Sequence, residues 1–425
     1  MDHLVTQNII DPFQSGFRAG YSPETCLVKL VEEIKQAQAK KMITALILFD
    51  YTKAFDRVNY DTLLNKLKRY GFDDHSRQWL KSYLVGRKQR VLAGNLKSEW
   101  GTAENGVPQG SVLGPLLFLI YMNDISSSLI SCRRLLFADD LQIYFTFPIS
   151  ELQATIKLLQ TEVESLSEWC IANSLTLNSK KTQAIFLGHK VYTDRAYEEV
   201  PVISTKIGEI AVVKEVKNLG ILMDSALNWE PQTTQTISRV KAVLYRLRKM
   251  SALTDIELRS KLVATLIFPL FDYCAAVYGD LSGRLDSKLQ VTMNSCIRYV
   301  FGLNLRDHVT PSRIKLQWLS ARNRRLYLST RLLHKIIISS SPNYLTHLIK
   351  YQEPIYPTRI AGPQLKIEYT TSQQFSDSFS IHTSKFWNSL PPSLRTADTV
   401  NSFKSQLKSY LLQSEVQQSQ IILTP

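Results

Sequence analysis

The stretch "RRLLFADDLQIYF", Arg133 to Phe145, sets two adjacent aspartates between apolar runs rich in strand-forming residues. Neighbouring carboxylates in a low-dielectric setting disfavour each other's ionised form unless a cation or hydrogen bonds compensate. Asp139 and Asp140 therefore call for either a turn in water or a metal. On this stretch alone a hairpin turn suffices, because Asp accepts local backbone hydrogen bonds and tolerates unusual backbone angles.

A second carboxylate site lies upstream, in "ITALILFDYTKAFDRVNYDTLLNKLKRYGF". Ile43 to Phe49 reads as a buried strand that ends abruptly at Asp50. Leu63, Leu64, Leu67 and Tyr70 then recur at helical spacing, with Gly71 where a helix-ending glycine belongs. Strand, carboxylate, short loop and helix is a way to mount a site on a rigid element. Taken singly, Asp50 reads as a strand-end or capping residue and Asp56 as a cap or loop residue near the helix start. Between the two acidic sites, "NGVPQGSVLGPLLFLIYMNDI" crowds Gly106, Pro108, Gly110, Gly114 and Pro115 ahead of an apolar helical run, Leu116 to Met122. Small residues there permit close backbone approach to a flat partner, and Gln109 offers an amide as donor or acceptor.

The chain has 425 residues, 44% of them hydrophobic, enough for more than one domain and too many for a disordered chain. Its formal net charge of +14 favours polyanionic partners. That charge is unevenly spread: residues 1–190 hold 22 Lys and Arg against 19 Asp and Glu, residues 191–425 hold 29 against 18. Five cysteines without a C-x-x-C pair argue against a disulfide framework or zinc knuckle and for a reducing compartment. The apolar runs fall short of the roughly 18 residues of a membrane span. No secretory signal pattern opens the chain. The expectation is a soluble intracellular protein with no membrane partner, in nucleus and cytoplasm.

Further along, "PETCLVKLVEEIKQAQ" reads as a helix, and short alternating runs between Ile203 and Trp229, with Gly208 and Gly220, read as a small strand-rich module. In "ISRVKAVLYRLRKM", Ile237, Val240, Val243, Leu244 and Leu247 share one face while Arg239, Arg246, Arg248 and Lys249 lie mostly elsewhere. That is a basic amphipathic helix, either a solvated surface helix or a nucleic-acid contact. "IYPTRIAGPQ", with Pro354 just before it, is the linker candidate.

The succession "FDYTKAFD", "GVPQGSVLGP", "FADD", "LTLNSKKTQAIFLG" and "VKNLGILMD" resembles, in order and spacing, the palm motifs of reverse transcriptases. More narrowly it resembles the non-LTR (LINE-type, jockey-like) retrotransposon family, to which "QSGFRAGYSPETCL" and "FWNSLPPSLRTADTVNSFKSQLKSYL" are also similar. The resemblance implies an α+β right-hand polymerase: partial fingers in 1–42, a palm with the catalytic motifs in 43–190, the end of the palm and a strand-rich primer-grip hairpin in 191–232, a helical basic thumb and connection in 233–350, and a helical C-terminal region in 351–425. It also implies an N-terminal truncation, since the chain opens at "HLVTQNIIDPFQSGF".

By the same resemblance Asp50 and Asp139 ligate two magnesium ions, with manganese a substitute, and Asp140 completes the acidic cluster. Two hard cations would compensate the paired carboxylates. Phe55 matches the aromatic position beneath the incoming sugar and selects dNTPs over ribonucleotides. Gln109 and Gly110 line the floor beside the nascent pair and template, and Arg18 neutralises triphosphate or template phosphate. Lys181, with Lys180 the alternative, donates a proton to the leaving pyrophosphate. Gly220 permits close backbone approach to the primer end in the primer grip. The implied activity is RNA-directed DNA synthesis on an RNA template from a DNA primer or target. The alternative reading is a catalytically inactive, polymerase-derived protein that binds RNA or DNA.

Overall fold

The computed structural model describes residues 2–279, 281–352 and 363–423. Its strands, in chain order, are β1 (Ile43–Phe49), β2 (Lys88–Gln89), β3 (Leu92–Ala93), β4 (Leu96–Lys97), β5 (Gly101–Thr102), β6 (Arg133–Phe137), β7 (Asp140–Phe147), β8 (Gln183–Leu187), β9 (Val202–Thr205), β10 (Gly208–Val212), β11 (Glu215–Asn218) and β12 (Ile221–Asp224). The chain forms two compact units. One comprises residues 1–22 and 42–214, the other residues 23–41 and 215–425.

The first unit is built on a six-stranded sheet in the order β6-β7-β1-β8-β10-β9. The apolar, partly β-branched run of β1 is buried almost throughout, as a central strand should be, and it pairs antiparallel with both β7 and β8. Alternate residues of a strand share a face. Ile43, Ala45, Ile47 and Phe49 accordingly join one hydrophobic core with Phe118 of helix Leu113–Met122 and with Leu159 and Val163 of helix Leu152–Ala172.

Helix Tyr60–Arg69 starts where Asn59 caps the Thr62 amide and ends before Gly71, which takes the left-handed φ of +82° expected of it. It also buries Lys66. That ammonium reaches Asp124 and the Tyr121 carbonyl, each at 2.6 Å, and lies 4.8 Å from the Tyr121 and Trp169 ring centroids.

The second unit is largely helical. Helix Pro23–Ala39 buries residues around most of its circumference, Cys26, Leu27, Leu30 and Ile34 among them. Its polar residues find partners far along the chain. Glu32 accepts from the Ser378 hydroxyl (3.0 Å) and from the amide (3.1 Å) and hydroxyl of Ser380. Lys35 donates to the Asp377 carbonyl at 3.2 Å, and Thr25 bonds the Tyr344 hydroxyl at 3.0 Å. Burial raises the carboxyl pKa of Glu32, against the opposing effect of these hydrogen bonds.

Helix Glu230–Lys249 buries Val240, Leu244 and Leu247 and leaves Arg239, Arg246, Arg248 and Lys249 exposed, the amphipathic split read from its sequence. Helices Ala321–Ser339, Phe379–Ser389 and Val400–Leu423 meet around the buried Trp387 and Phe403. The strand-rich module expected between 203 and 229 is divided. β9 and β10 extend the large sheet, because β10 pairs in parallel with β8, whereas β11 and β12 pair only with each other. Of the linker candidate, residues 354–362 lie outside the described residues.

Candidate active site

Asp50 stands at the end of β1, and the turn of "LTLNSKKT" is laced onto that end. The Asn178 amide donates to the Asp50 carbonyl at 2.8 Å, Tyr51 bridges Leu177, and the Thr52 amide donates to the Thr176 carbonyl at 3.0 Å. The Lys181 ammonium lies 3.8 Å from an Asp50 carboxylate oxygen, both side chains well exposed.

The second acidic site is a two-residue turn. Phe137 pairs with Asp140 across the β6–β7 hairpin, leaving Ala138 and Asp139 at its tip. Ala138 has φ +57°, a conformation that costs a residue with a Cβ about 1–2 kcal/mol. Something must hold it there, and the loop around Gln14 does so. The buried Gln14 side chain accepts from the amides of Gly16 (2.8 Å) and Ala138 (2.9 Å) and donates to the Ala138 carbonyl (3.3 Å). The Ser15 amide donates to the Leu136 carbonyl at 2.8 Å. Gly16 is required by this approach, since a Cβ there would overlap the Ala138 amide nitrogen. Asp11 anchors the same loop by pairing with Arg134 at 2.9 Å.

Burial raises the Asp139 carboxyl pKa, and the charge of Asp50 adds to the shift. Asp140 opens to water at the turn surface, yet the protein around it displaces enough hydration to push its carboxyl up to about 6, with Asp139 and Asp50 contributing by repulsion. The Asp139 and Asp140 carboxyl pKa values are thus both raised, by burial first and by neighbouring carboxylate charge second, within one unit.

Phe55 sits on a short 3-10 turn, Ala54–Arg57, its ring stacked on Phe118 at 3.9 Å and edge-on to Phe17 at 6.4 Å. The Val107 amide donates to the Phe55 carbonyl (2.9 Å) and the Gly106 amide to that of Val58 (2.8 Å), which draws the "GVPQG" loop alongside. Gln109 donates to Asp56 at 2.9 Å, giving Asp56 a defined partner beyond the cap role its sequence position suggested. Gly110, at φ +79°, faces open space.

Arg18 spends one guanidinium nitrogen on the carbonyls of Asp11 (3.1 Å) and Gln14 (2.9 Å) and lies 4.0 Å over the Tyr21 ring, so it braces the loop that holds Ala138. Gly220 belongs to the other unit. It follows Leu219 in the β11–β12 turn, both with positive φ, and a Cβ on it would press the Tyr273 ring at 3.1 Å. Gln14 was missed from sequence. Its only signal was its place in the "QSGF" stretch, and its contact lies 124 positions away.

As a donor set, Asp50, Asp139 and Asp140 suit a hard divalent cation: all their side-chain donors are oxygens, and their mutual repulsion is what such a cation relieves. Among the described residues no three His, Cys, Asp or Glu side chains converge as a ready-made metal group. Substrate oxygens and water would have to complete a shell, the usual habit of magnesium sites.

With this geometry in view, comparison decides the family. The family described as reverse transcriptase (RNA-dependent DNA polymerase) matches residues 1–223. The chain belongs to the reverse transcriptase family. Reverse transcriptases generally use divalent metal ions. The chain is 28% identical over 310 residues to the probable RNA-directed DNA polymerase from transposon BS of Drosophila melanogaster, covering 70% of this chain and 33% of that protein. It is 29% identical over 314 residues to the polymerase from transposon X-element of the same species, with 70% and 33% covered. With the RNA-directed DNA polymerase from mobile element jockey of Drosophila funebris the values are 27% over 307 residues, 69% and 32%. This reverse transcriptase chain spans about a third of the length of these curated relatives. Among solved structures it is similar to apo telomerase from Candida tropicalis, with a TM-score of 0.41 and 10% identity over 81% of this chain and 59% of that one. No helix of the described residues is long and apolar enough to cross a membrane.

Proposed function

We propose that the chain catalyses RNA-directed DNA synthesis for a non-LTR retrotransposon, adding deoxynucleotides to a primer 3′-hydroxyl on an RNA template. The observation that carries the proposal is the strand register: β1 pairs with β7 so that Phe49 faces Leu141, which sets Asp50, just past the end of β1, beside the turn that carries Asp139 and Asp140. Asp50 and Asp139 would hold two magnesium ions, with manganese a substitute, and Asp140 would add negative charge beside them. Bound there, such ions acidify the primer hydroxyl and neutralise the triphosphate and departing pyrophosphate.

The remaining work falls to the chain itself. Rigid strands hold both acidic sites, so the carboxylates need no reorganisation when substrate arrives. Phe55, braced by Phe118, presents a ring where a ribose 2′-hydroxyl would collide, which excludes ribonucleotides. Lys181, beside Asp50, stands to protonate the leaving pyrophosphate. Gln109 and Gly110 form the open floor for the nascent pair, with Arg18 supporting the loop behind it. In this reading the palm lies within residues 43–190, the primer-grip hairpin around Gly220, and the thumb among the helices of 233–350.

Primer extension on a homopolymer RNA template with magnesium and dNTPs tests the proposal. Wild-type protein is expected to extend the primer, and Asp139→Ala to lose essentially all extension while binding RNA as before. Equal RNA binding with no extension by either protein would favour a nucleic-acid-binding role without catalysis.

A further inference from the structure

Between helix Asp74–Leu84 and the "GVPQG" loop the chain runs out into a two-stranded ribbon. β2 pairs with β5 and β3 with β4, and the turn at the tip carries Gly94 at φ +62° in the first central position, where a hairpin turn of the II′ kind takes glycine. This ribbon has no core of its own. Val91, Leu92, Leu96 and Trp100 are 70%, 62%, 76% and 58% exposed, a density of open apolar side chains that marks an interaction surface.

Its chemistry is specific. Lys88 in β2 and Arg90 just after it are exposed, Lys97 stands across from Leu92 in the β3–β4 pair, and the Arg90 guanidinium lies 4.5 Å from the Trp100 ring centroid. Three cations, a large aromatic surface and an aliphatic side chain thus stand exposed on one short ribbon. Cations matched to phosphates and a ring matched to a base face are the pattern of a single-strand stacking platform. The root of the ribbon is fixed to the candidate active site. Arg87 donates to the Gly106 carbonyl at 2.7 Å and to the Tyr60 hydroxyl at 2.9 Å, and its carbonyl accepts from the Ala103 amide. Gly106 is three residues from Gln109.

We infer that this ribbon binds single-stranded nucleic acid, the unpaired template strand on its way to the Gln109–Gly110 loop. The occupant's identity as template rests on the polymerase reading. A base stacks on the free side of Trp100 while Lys88, Arg90 and Lys97 meet the flanking phosphates.

The test is fluorescence anisotropy with an RNA–DNA duplex, either blunt or bearing an unpaired RNA overhang of about eight nucleotides, a length within the reach of one such platform. Wild-type protein is expected to bind the overhang form more tightly. Trp100→Ala and Arg90→Ala are each expected to lose about tenfold in affinity for the overhang form and nothing for the blunt duplex, and Trp100→Tyr to restore most of the loss. An overhang preference unchanged in both alanine variants overturns the inference. So does sedimentation showing that Trp100→Ala converts a dimer to a monomer with RNA binding intact, which would make the ribbon a contact between copies. Primer extension by the wild type separates the two claims: an overhang preference that needs Trp100, in a protein that extends nothing, supports the platform and overturns the polymerase reading.

Discussion

Gln14 forces a residue 124 positions away into a backbone conformation it would not choose. Removing that side chain leaves two buried amide donors without their acceptor, each costing about 1–3 kcal/mol, and frees Ala138 to leave its left-handed φ. Gln14→Ala is therefore expected to lower stability in urea unfolding by about 2 kcal/mol. It should also reduce kcat for extension at least tenfold with KM for dNTP little changed, because the turn that misplaces Asp139 serves the chemical step. A stability loss with kcat intact would mean that the clamp only supports the fold. The aspartates were legible in the sequence because charge inside apolar runs stands out locally. Gln14 was not, since a glutamine in a loop gives no local sign of the distant backbone it will clasp. Nor was it legible that one Arg18 guanidinium nitrogen donates to the carbonyls of Asp11 and Gln14.

Elements were read well where their pattern is local and poorly where partner choice is not. β1, helix Tyr60–Arg69 and helix Glu230–Lys249 follow from hydrophobic period and end signals. The division of the 203–229 module does not, because an alternating strand carries no mark of which neighbour it will pair with. Helix Pro23–Ala39 was legible as a helix, while its burial against residues 343–346 and 373–389 was not. That burial has a pH signature. The folded state holds the Glu32 proton more tightly than the ordinary value of 4.5, so the stabilisation it contributes is full below that pH and is lost as pH rises through the raised folded value. Urea midpoints followed from about pH 4 to about pH 8 should show the wild type losing stability relative to Glu32→Gln as pH increases. Parallel curves would mean that the carboxyl titrates alike in folded and unfolded chains.

At the scale of the whole molecule, the composition pointed to a polyanion partner and more than one compact unit, but no composition shift marked that residues 23–41 belong with 215–425. A fragment of residues 215–425 alone is expected to lack a cooperative unfolding transition, since the helix filling its interior is missing. Adding a peptide of residues 20–41 in trans should restore one, as read by circular dichroism during urea titration. Cooperative unfolding of the fragment by itself would show that the helix is dispensable. The same arrangement sets a schedule for biosynthesis. Glu32 leaves the ribosome 348 residues before Ser380, its hydrogen-bond partner. At about 5–20 residues per second, translation needs about 17–70 s to cover that distance. Throughout that interval the helix lacks the residues that bury it, so the nascent chain calls for a holding chaperone early and completes its second unit only after Ser380 has emerged.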